Sequence, residues 1–324
     1  MKIVVIDDYQ NAFKTLKCFP KLAGHEVGVY TDTANDVASL AEKLKDADVA
    51  VLTQQRSYFP RALIEKLPKL KLIGQTGRAA THVDLQACTE KGVVVSAGGS
   101  GNPNATAELT WGLILCALRS LPFEVARLKS GHWQSTVGIG VSGKTIGIYA
   151  YGKIGSIVAA VGRAFGAQVV CWGREGSTGR ARAAGFEVAK SRHEFFAGAD
   201  IISLHLPLNK DTRGIVTRDD LALMKPTALI VNASRSGLIA AGALVDALKA
   251  GRPGKAAVDV YDQEPVAGDP LVRMDNVTCT PHLGYVTRES YEEYYAVVVD
   301  DIVNFAAGKP SNVLNPDALG RKGV

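Results

Sequence analysis

The chain has 324 residues, 47% hydrophobic and 21% charged, and a formal net charge of +5. That is ordinary globular composition, which excludes disordered and fibrous classes, and the mild charge with no Lys/Arg run interleaved with aromatics excludes a nucleic-acid surface. A single core rarely keeps growing beyond roughly 250 to 300 residues, so two domains are expected.

Short runs rich in Val, Ile and Leu at 3–6, 27–30, 49–52, 70–73 and 93–95 alternate with stretches of helical spacing, the pattern of a parallel sheet built from βαβ units. The opening apolar run meets Asp7 and Asp8 after four residues, too short for a signal peptide, so a cytoplasmic protein is expected. The segment Ala97-Gly98-Gly99-Ser100-Gly101-Asn102-Pro103 then breaks the rhythm as a linker would. The next stretch, 104–121, is apolar nearly all round and predicts a buried helix. Glu108, Thr110 and Arg119 within it argue against a membrane span.

After Gly143-Lys144-Thr145 the alternation restarts, with strands expected at 146–149, 169–172, 201–204, 228–231, 257–260 and 277–279. The fold class is therefore α/β, two doubly wound parallel-sheet domains. Residues 288–307 predict one amphipathic helix stopped by Gly308-Lys309-Pro310. The five cysteines show no CxxC spacing and fit small buried hydrophobes in a reducing compartment. No His or Cys cluster has metal-ligand spacing and no Gly-x-Ser-x-Gly elbow occurs, so neither a metal site nor serine-hydrolase chemistry is expected.

A dinucleotide fingerprint stands between a strand and a helix at Ala150-Tyr151-Gly152-Lys153-Ile154-Gly155. Gly152 lets the backbone approach a pyrophosphate, Gly155 lets helix and strand pack, and the helix N-terminus supplies N–H donors. Ala150 stands where the first glycine usually makes the turn. At the end of the second strand of this domain, an acid would bond a ribose 2′-hydroxyl and repel a 2′-phosphate. The chain has Gly173 there, followed by Arg174, with Arg180 and Arg182 close by in sequence. This leans to NADP over NAD, the other reading being that Glu175 serves the ribose and the arginines are solvated.

Three polar residues follow strands of the second sheet: Arg235, Glu264 and His282. Oxidising a secondary alcohol needs a group to take the hydroxyl proton, and histidine titrates in the right range. A carboxylate beside it favours the imidazolium, and an arginine can hold a substrate carboxylate through two hydrogen bonds. His205 also ends a strand but has no acid following it, so it reads as structural or as part of a nicotinamide wall.

With these stretches in hand, and with 201–207, 224–237, 257–265 and 280–284, the sequence resembles the D-isomer-specific 2-hydroxyacid dehydrogenases, nearly from end to end. The resemblance implies an NAD(P)-dependent oxidoreductase interconverting a small 2-hydroxy acid and its 2-keto acid, with Arg235, Glu264 and His282 as the catalytic set. It implies further cofactor contacts at Leu206, Pro207, Ala233, Ser234, Asp259 and Gly284. It also implies a Rossmann domain, 101–283, inserted into a flavodoxin-like substrate domain made of 1–100 and 284–324, in a homodimer with no membrane partner. Gly74-Gln75-Thr76-Gly77-Arg78 matches the family's substrate-carboxylate loop, making Thr76 and Gly77 expected substrate contacts. Arg78 departs from the smaller residue common there, and with Arg56 it is a candidate reader of a second acidic group. A dinucleotide-sensing regulator without turnover is the rival class; its signature would be interaction segments outside the fold.

Overall fold

The computed structural model describes residues 1–34, 36–99 and 101–320. The chain forms two compact units, one of Met1–Asn102 with the segment from Thr287 on, the other of Pro103–Val286.

In the first unit, β1 (Lys2–Ile6), β2 (Glu26–Val29), β3 (Val49–Leu52), β4 (Leu72–Thr76) and β5 (Val94–Gly98) make one parallel sheet in the order β2-β1-β3-β4-β5. That is the flavodoxin-like order. The sequence Val49-Ala50-Val51-Leu52 is buried at every position, as a central parallel strand covered on both faces requires. Helices α1 (Val37–Leu44), α2 (Arg61–Ile64) and α3 (Leu85–Glu90) connect the strands. Asp36 and Asp84 start α1 and α3 by accepting from the amides of Ser39 and Ala87. The C-terminal helix, Arg288–Ala306, packs on β4 and β5. It approaches closely because Gly74 and Gly98 carry no side chain, and a Cβ at 74 would lie 2.8 Å from Val298 Cγ1.

In the second unit seven parallel strands, β6 (Thr145–Tyr149), β7 (Gln168–Trp172), β8 (Glu187–Val188), β9 (Ile201–Leu204), β10 (Leu229–Asn232), β11 (Lys255–Val258) and β12 (Val277–Cys279), lie in the order β12-β11-β10-β9-β6-β7-β8. Counted from β6, this is the Rossmann order 3-2-1-4-5-6 with one more strand. The helices are α4 (Pro103–Arg119), α5 (Leu121–Lys129), α6 (Lys153–Ala164), α7 (Glu175–Ala183), α8 (Arg192–Gly198), α9 (Arg218–Leu223) and α10 (Ala243–Lys249). Alternate residues of each strand feed separate cores: Ile146, Ile148, Leu229 and Val231 pack with Trp111 and Ile114 of α4, whereas Tyr149, Ile202 and Ile230 pack with Phe195, Phe196 and Met224. The period of two along the strands thus places one core on each face of the sheet.

Four expectations need correction, the first being the strand expected at 70–73, which runs over Leu72–Thr76 because Gly74, Gln75 and Thr76 continue the buried ladder without an apolar run. Strand β8 went unseen because two residues, one of them Glu187, carry no apolar run. β11 lies two residues earlier than hydrophobicity suggests, because Val260 and Tyr261 are buried beyond the end of the ladder. The helix expected to reach residue 121 stops at Arg119, where Ser120 turns left-handed at φ +49° and α5 starts afresh with Pro122 in its first turn. No single helix among the described residues is long and apolar enough to cross a membrane; α4 and α5 reach that length and apolarity only as a pair bent by 62°.

Candidate active site

The carboxyl ends of β10, β11 and β12, three adjacent strands, carry Arg235, Glu264 and His282 on the loops that follow. Glu264 and His282 meet: His282 Nδ1 lies 2.6 Å from Glu264 Oε2, and each side chain is 19% exposed, wet enough to exchange protons yet dry enough to strengthen the bond. The other carboxylate oxygen, Oε1, accepts the Tyr261 amide at 2.9 Å, which fixes the carboxylate plane.

His282 sits in the left-handed region, φ +53°, a conformation that costs a non-glycine residue about 1–2 kcal/mol. Asp259, 0% exposed just past β11, holds that loop. Its Oδ1 accepts from Thr280 Oγ1 (2.6 Å) and the Leu283 amide (2.7 Å), and its Oδ2 from the Gly284 amide (2.9 Å). Burial pushes the Asp259 carboxyl up, and the Thr280 hydroxyl and Leu283 amide pull against that rise. Gly284 is bound on its other side too, its carbonyl accepting from Thr106 Oγ1 at 2.8 Å. The resemblance placed Asp259 and Gly284 near a cofactor; the geometry shows them as the frame of the histidine loop, a part their positions in sequence did not suggest. An acid directly after an apolar strand was a signal, but its partners lie 21 to 25 residues downstream.

Arg235 is exposed, and its NH1 donates to the Ser234 carbonyl at 2.7 Å. Its loop is tied down by Asn232, whose Nδ2 donates to the Arg235 carbonyl (2.9 Å) and whose Oδ1 accepts the Ser234 amide (3.1 Å). Ser234 Oγ donates to the Leu204 carbonyl, joining the loop to the end of β9, and Ala233 packs against the core under β10. His205, after β9, lies 2.9 Å through Nε2 from Ser203 Oγ, and burial pushes its ring down to about 4, so it stays neutral near pH 7. Leu206 packs on the core of the opposite face, that of Tyr149 and Ile202, and the carbonyl of Pro207, an exposed residue beside it, accepts from Thr212 Oγ1.

At β6, Ala150 adopts φ +77°, and its carbonyl accepts the Gly152 amide at 3.0 Å. A Cβ on Gly155 would run into the Ala150 carbonyl, whereas one on Gly152 would meet nothing within 4 Å. The first turn of α6, Lys153, Ile154 and Gly155, has no side-chain cap on its amides, and an open concavity beside it is lined by Tyr151, Gly152, Lys153, Ser156 and Arg180. Uncapped donors beside open space fit a pyrophosphate. Gly173, past β7, has φ +155°, and a Cβ there would lie 3.1 Å from Ser177 Oγ, so glycine is demanded by backbone and packing. The Arg174 side chain is 73% exposed and pairs with Asp211 at 3.3 Å. Arg182 pairs with Glu175 at 2.9 Å, and Arg180 donates to the Tyr151 carbonyl.

In the five-stranded unit, Thr76 is buried with its hydroxyl used structurally, donating to the Leu52 carbonyl and accepting the Gln54 amide. Gly77, φ +89°, donates its amide to the Gly98 carbonyl, so that N–H is already engaged. Arg78 is exposed; Arg56 is half-buried, its charge felt by the buried carboxyl of Asp7. Among the described residues, no group of three or more His, Cys, Asp or Glu side chains is placed to hold a metal ion.

Comparison with known proteins finds relatives along nearly the whole chain. The chain is 38% identical over 97% of its length to D-3-phosphoglycerate dehydrogenase of Methanocaldococcus jannaschii, spanning 59% of that protein. It is 31% identical over 96% of its length to glyoxylate reductase of Thermococcus litoralis, spanning 95% of it. Its structure matches phosphoglycerate oxidoreductase from Vibrio cholerae with a TM-score of 0.91 at 45% identity, over 95% of this chain and 99% of the other. Residues 111–284, more than half of the chain, match the family model described as the NAD binding domain of D-isomer specific 2-hydroxyacid dehydrogenase, and the chain belongs to that family.

Proposed function

We propose that this protein interconverts a small D-2-hydroxy acid and its 2-keto acid, with NAD(P) as the hydride partner. The observation that carries this reading is the 2.6 Å contact of His282 Nδ1 with Glu264 on the strand ends of an NAD-binding domain. With Nδ1 on the carboxylate, Nε2 of His282 is the nitrogen assigned to meet a substrate oxygen. In reduction it delivers a proton to the carbonyl oxygen; in oxidation it takes one from the hydroxyl. Glu264 stabilises the charge on the ring while it holds that proton and fixes the ring's orientation. Arg235 clamps the substrate carboxylate and polarises the adjoining carbonyl. Bound NAD(P) supplies or accepts the hydride. The amides of Lys153, Ile154 and Gly155 hold its pyrophosphate, with Tyr151 and Gly152 shaping the approach; Leu206, Pro207, Ala233, Ser234, Asp259 and Gly284 line its course.

Thr76, Gly77, Arg78 and Arg56 are the proposed substrate contacts of the five-stranded unit, the two arginines selecting acids that carry a second negative group. Two relatives bear on substrate class: a D-3-phosphoglycerate dehydrogenase and a glyoxylate reductase. The test is NADH and NADPH consumption against a panel of 2-keto acids with and without a second acidic group. Turnover of at least one is expected; none with any member would sink the reading.

NADP is the proposed preference, supported by the missing acid at Gly173 and the exposed guanidinium of Arg174. Arg174→Ala should raise KM for NADPH more than for NADH, and equal changes would remove the preference. The proposed assembly is a homodimer. Helix α5 buries none of its residues, and Phe123, Val125 and Leu128 on it, with Trp133 and Val137 beyond, are each more than half exposed. Light scattering should give twice the chain mass, and Trp133→Glu with Val137→Glu should give monomer; unchanged mass would reject this face.

A further inference from the structure

The geometry points to Ser177 and Arg180 as positioning residues for the cofactor, a clamp on α7 that holds the fingerprint loop in its binding shape. The inference rests on the proposed binding of a dinucleotide at that loop, and neither residue is identified by the loop's own sequence.

Both backbone polar groups of one residue, Tyr151, are taken by α7 side chains. The Tyr151 amide donates to Ser177 Oγ at 2.7 Å, and the Tyr151 carbonyl accepts from Arg180 Nε at 3.3 Å and NH2 at 3.0 Å. Tyr151 is the residue immediately after Ala150, which holds φ +77° in a turn where most fingerprints have glycine. An alanine resists that conformation, so the loop needs an outside restraint to keep it. The restraint reaches the loop because Gly173 leaves room: a side chain there would crowd Ser177 Oγ and lie 3.5 Å from the Ala150 Cα. Gly173 therefore has a steric duty independent of any 2′-phosphate. Tyr151 is anchored on its other side by its ring, 5.5 Å from that of Phe186.

A clamp acting on the backbone turn affects NADH and NADPH alike, unlike a residue that reads the 2′-phosphate. Its importance also depends on the alanine: with glycine at 150, the loop adopts the turn unaided. Four forms of the full chain test this: wild type, Arg180→Met, Ala150→Gly and the double variant, each titrated with NADH and NADPH by fluorescence. Arg180→Met is expected to raise Kd about tenfold for both dinucleotides, as loss of a charge-assisted hydrogen bond would. In the Ala150→Gly background the same substitution should raise Kd by less than about threefold. Amide exchange on the unliganded chain provides a second reading: the Tyr151 N–H should exchange about tenfold or more faster in Ser177→Ala than in wild type.

Loss confined to NADPH would overturn the inference, making Arg180 a direct reader of the phosphate. Equal losses in the alanine and glycine backgrounds, or no loss, would overturn it as well. If the wild type bound neither dinucleotide, the functional reading would fall. The exchange rates would then decide the clamp alone, unchanged protection in Ser177→Ala counting against it.

Discussion

Two loops at the carboxyl edge of the seven-stranded sheet solve the same problem by opposite means. After β12, His282 is held left-handed at φ +53°; after β6, Ala150 is held so at φ +77°. Each is a non-glycine residue in a conformation that resists it. The histidine loop is fastened from beneath by Asp259, fully buried and bonded to a hydroxyl and two amides. The fingerprint loop is fastened from the side by Ser177 and the exposed Arg180. A buried ionisable anchor is expensive to disturb, because its removal strands several polar groups away from water. An exposed clamp is cheap to disturb, because water replaces it. The loop proposed to move protons thus has the rigid mounting, and the loop proposed to admit and release a cofactor has the softer one.

The strongest contrast comes from the residue that the rigid mounting serves. His282→Ala should lower turnover by roughly 10² to 10⁴, the range of general acid–base catalysis, while leaving NADH affinity close to wild type. Stopped assays paired with fluorescence titration would show this split; retained turnover would take His282 out of the proposed mechanism. Next comes the anchor. Asp259→Ala leaves the Leu283 and Gly284 amides and the Thr280 hydroxyl without their acceptor, and stability should fall by about 3 kcal/mol, read as a lower urea midpoint. A midpoint within experimental scatter of wild type would erase the distinction between buried and exposed fastening. Ser177→Ala removes one neutral hydrogen bond at the rim of the sheet, and about 1 kcal/mol is expected in the same measurement.

How far the sequence foretold this molecule follows from the same contrast. Strands such as Val49–Leu52 and Ile201–Leu204 were legible because a central parallel strand buries both faces and so reads as an unbroken apolar run. Glu187–Val188, at the sheet edge, was not, because an edge strand of two residues has no such pattern. Glu264 and His282 were legible as a pair because both follow strands that the alternation had already placed. What stayed hidden were fastenings between residues distant in sequence. Asp259 grips a loop more than twenty residues on, Arg180 reaches back 29 residues to Tyr151, and Arg174 faces Asp211 37 residues later. Hydrophobic periodicity is silent on such bonds, since it reports which face is buried and not which polar atom a loop brings within 3 Å. The single methyl of Ala150 was visible as a departure from the motif, but its φ and its restraint were not.

That methyl gives the smallest effect and the sharpest question of sign. Placing alanine in the left-handed region costs about 1–2 kcal/mol, which Ala150→Gly removes. Glycine in turn raises the entropy of the unfolded chain, worth about 0.5–1 kcal/mol against the fold. The difference favours the glycine variant by about 0.5–1 kcal/mol. For a unit the size of Pro103–Val286, that is a rise of roughly 2 °C in its calorimetric Tm. The same substitution at a strain-free position would lower Tm, so the direction of the shift is informative even though its size is small. A fall in Tm would mean that the clamp has already absorbed the strain by reshaping the turn, and the two loops would then differ in how much strain they hold as well as in how they are fastened.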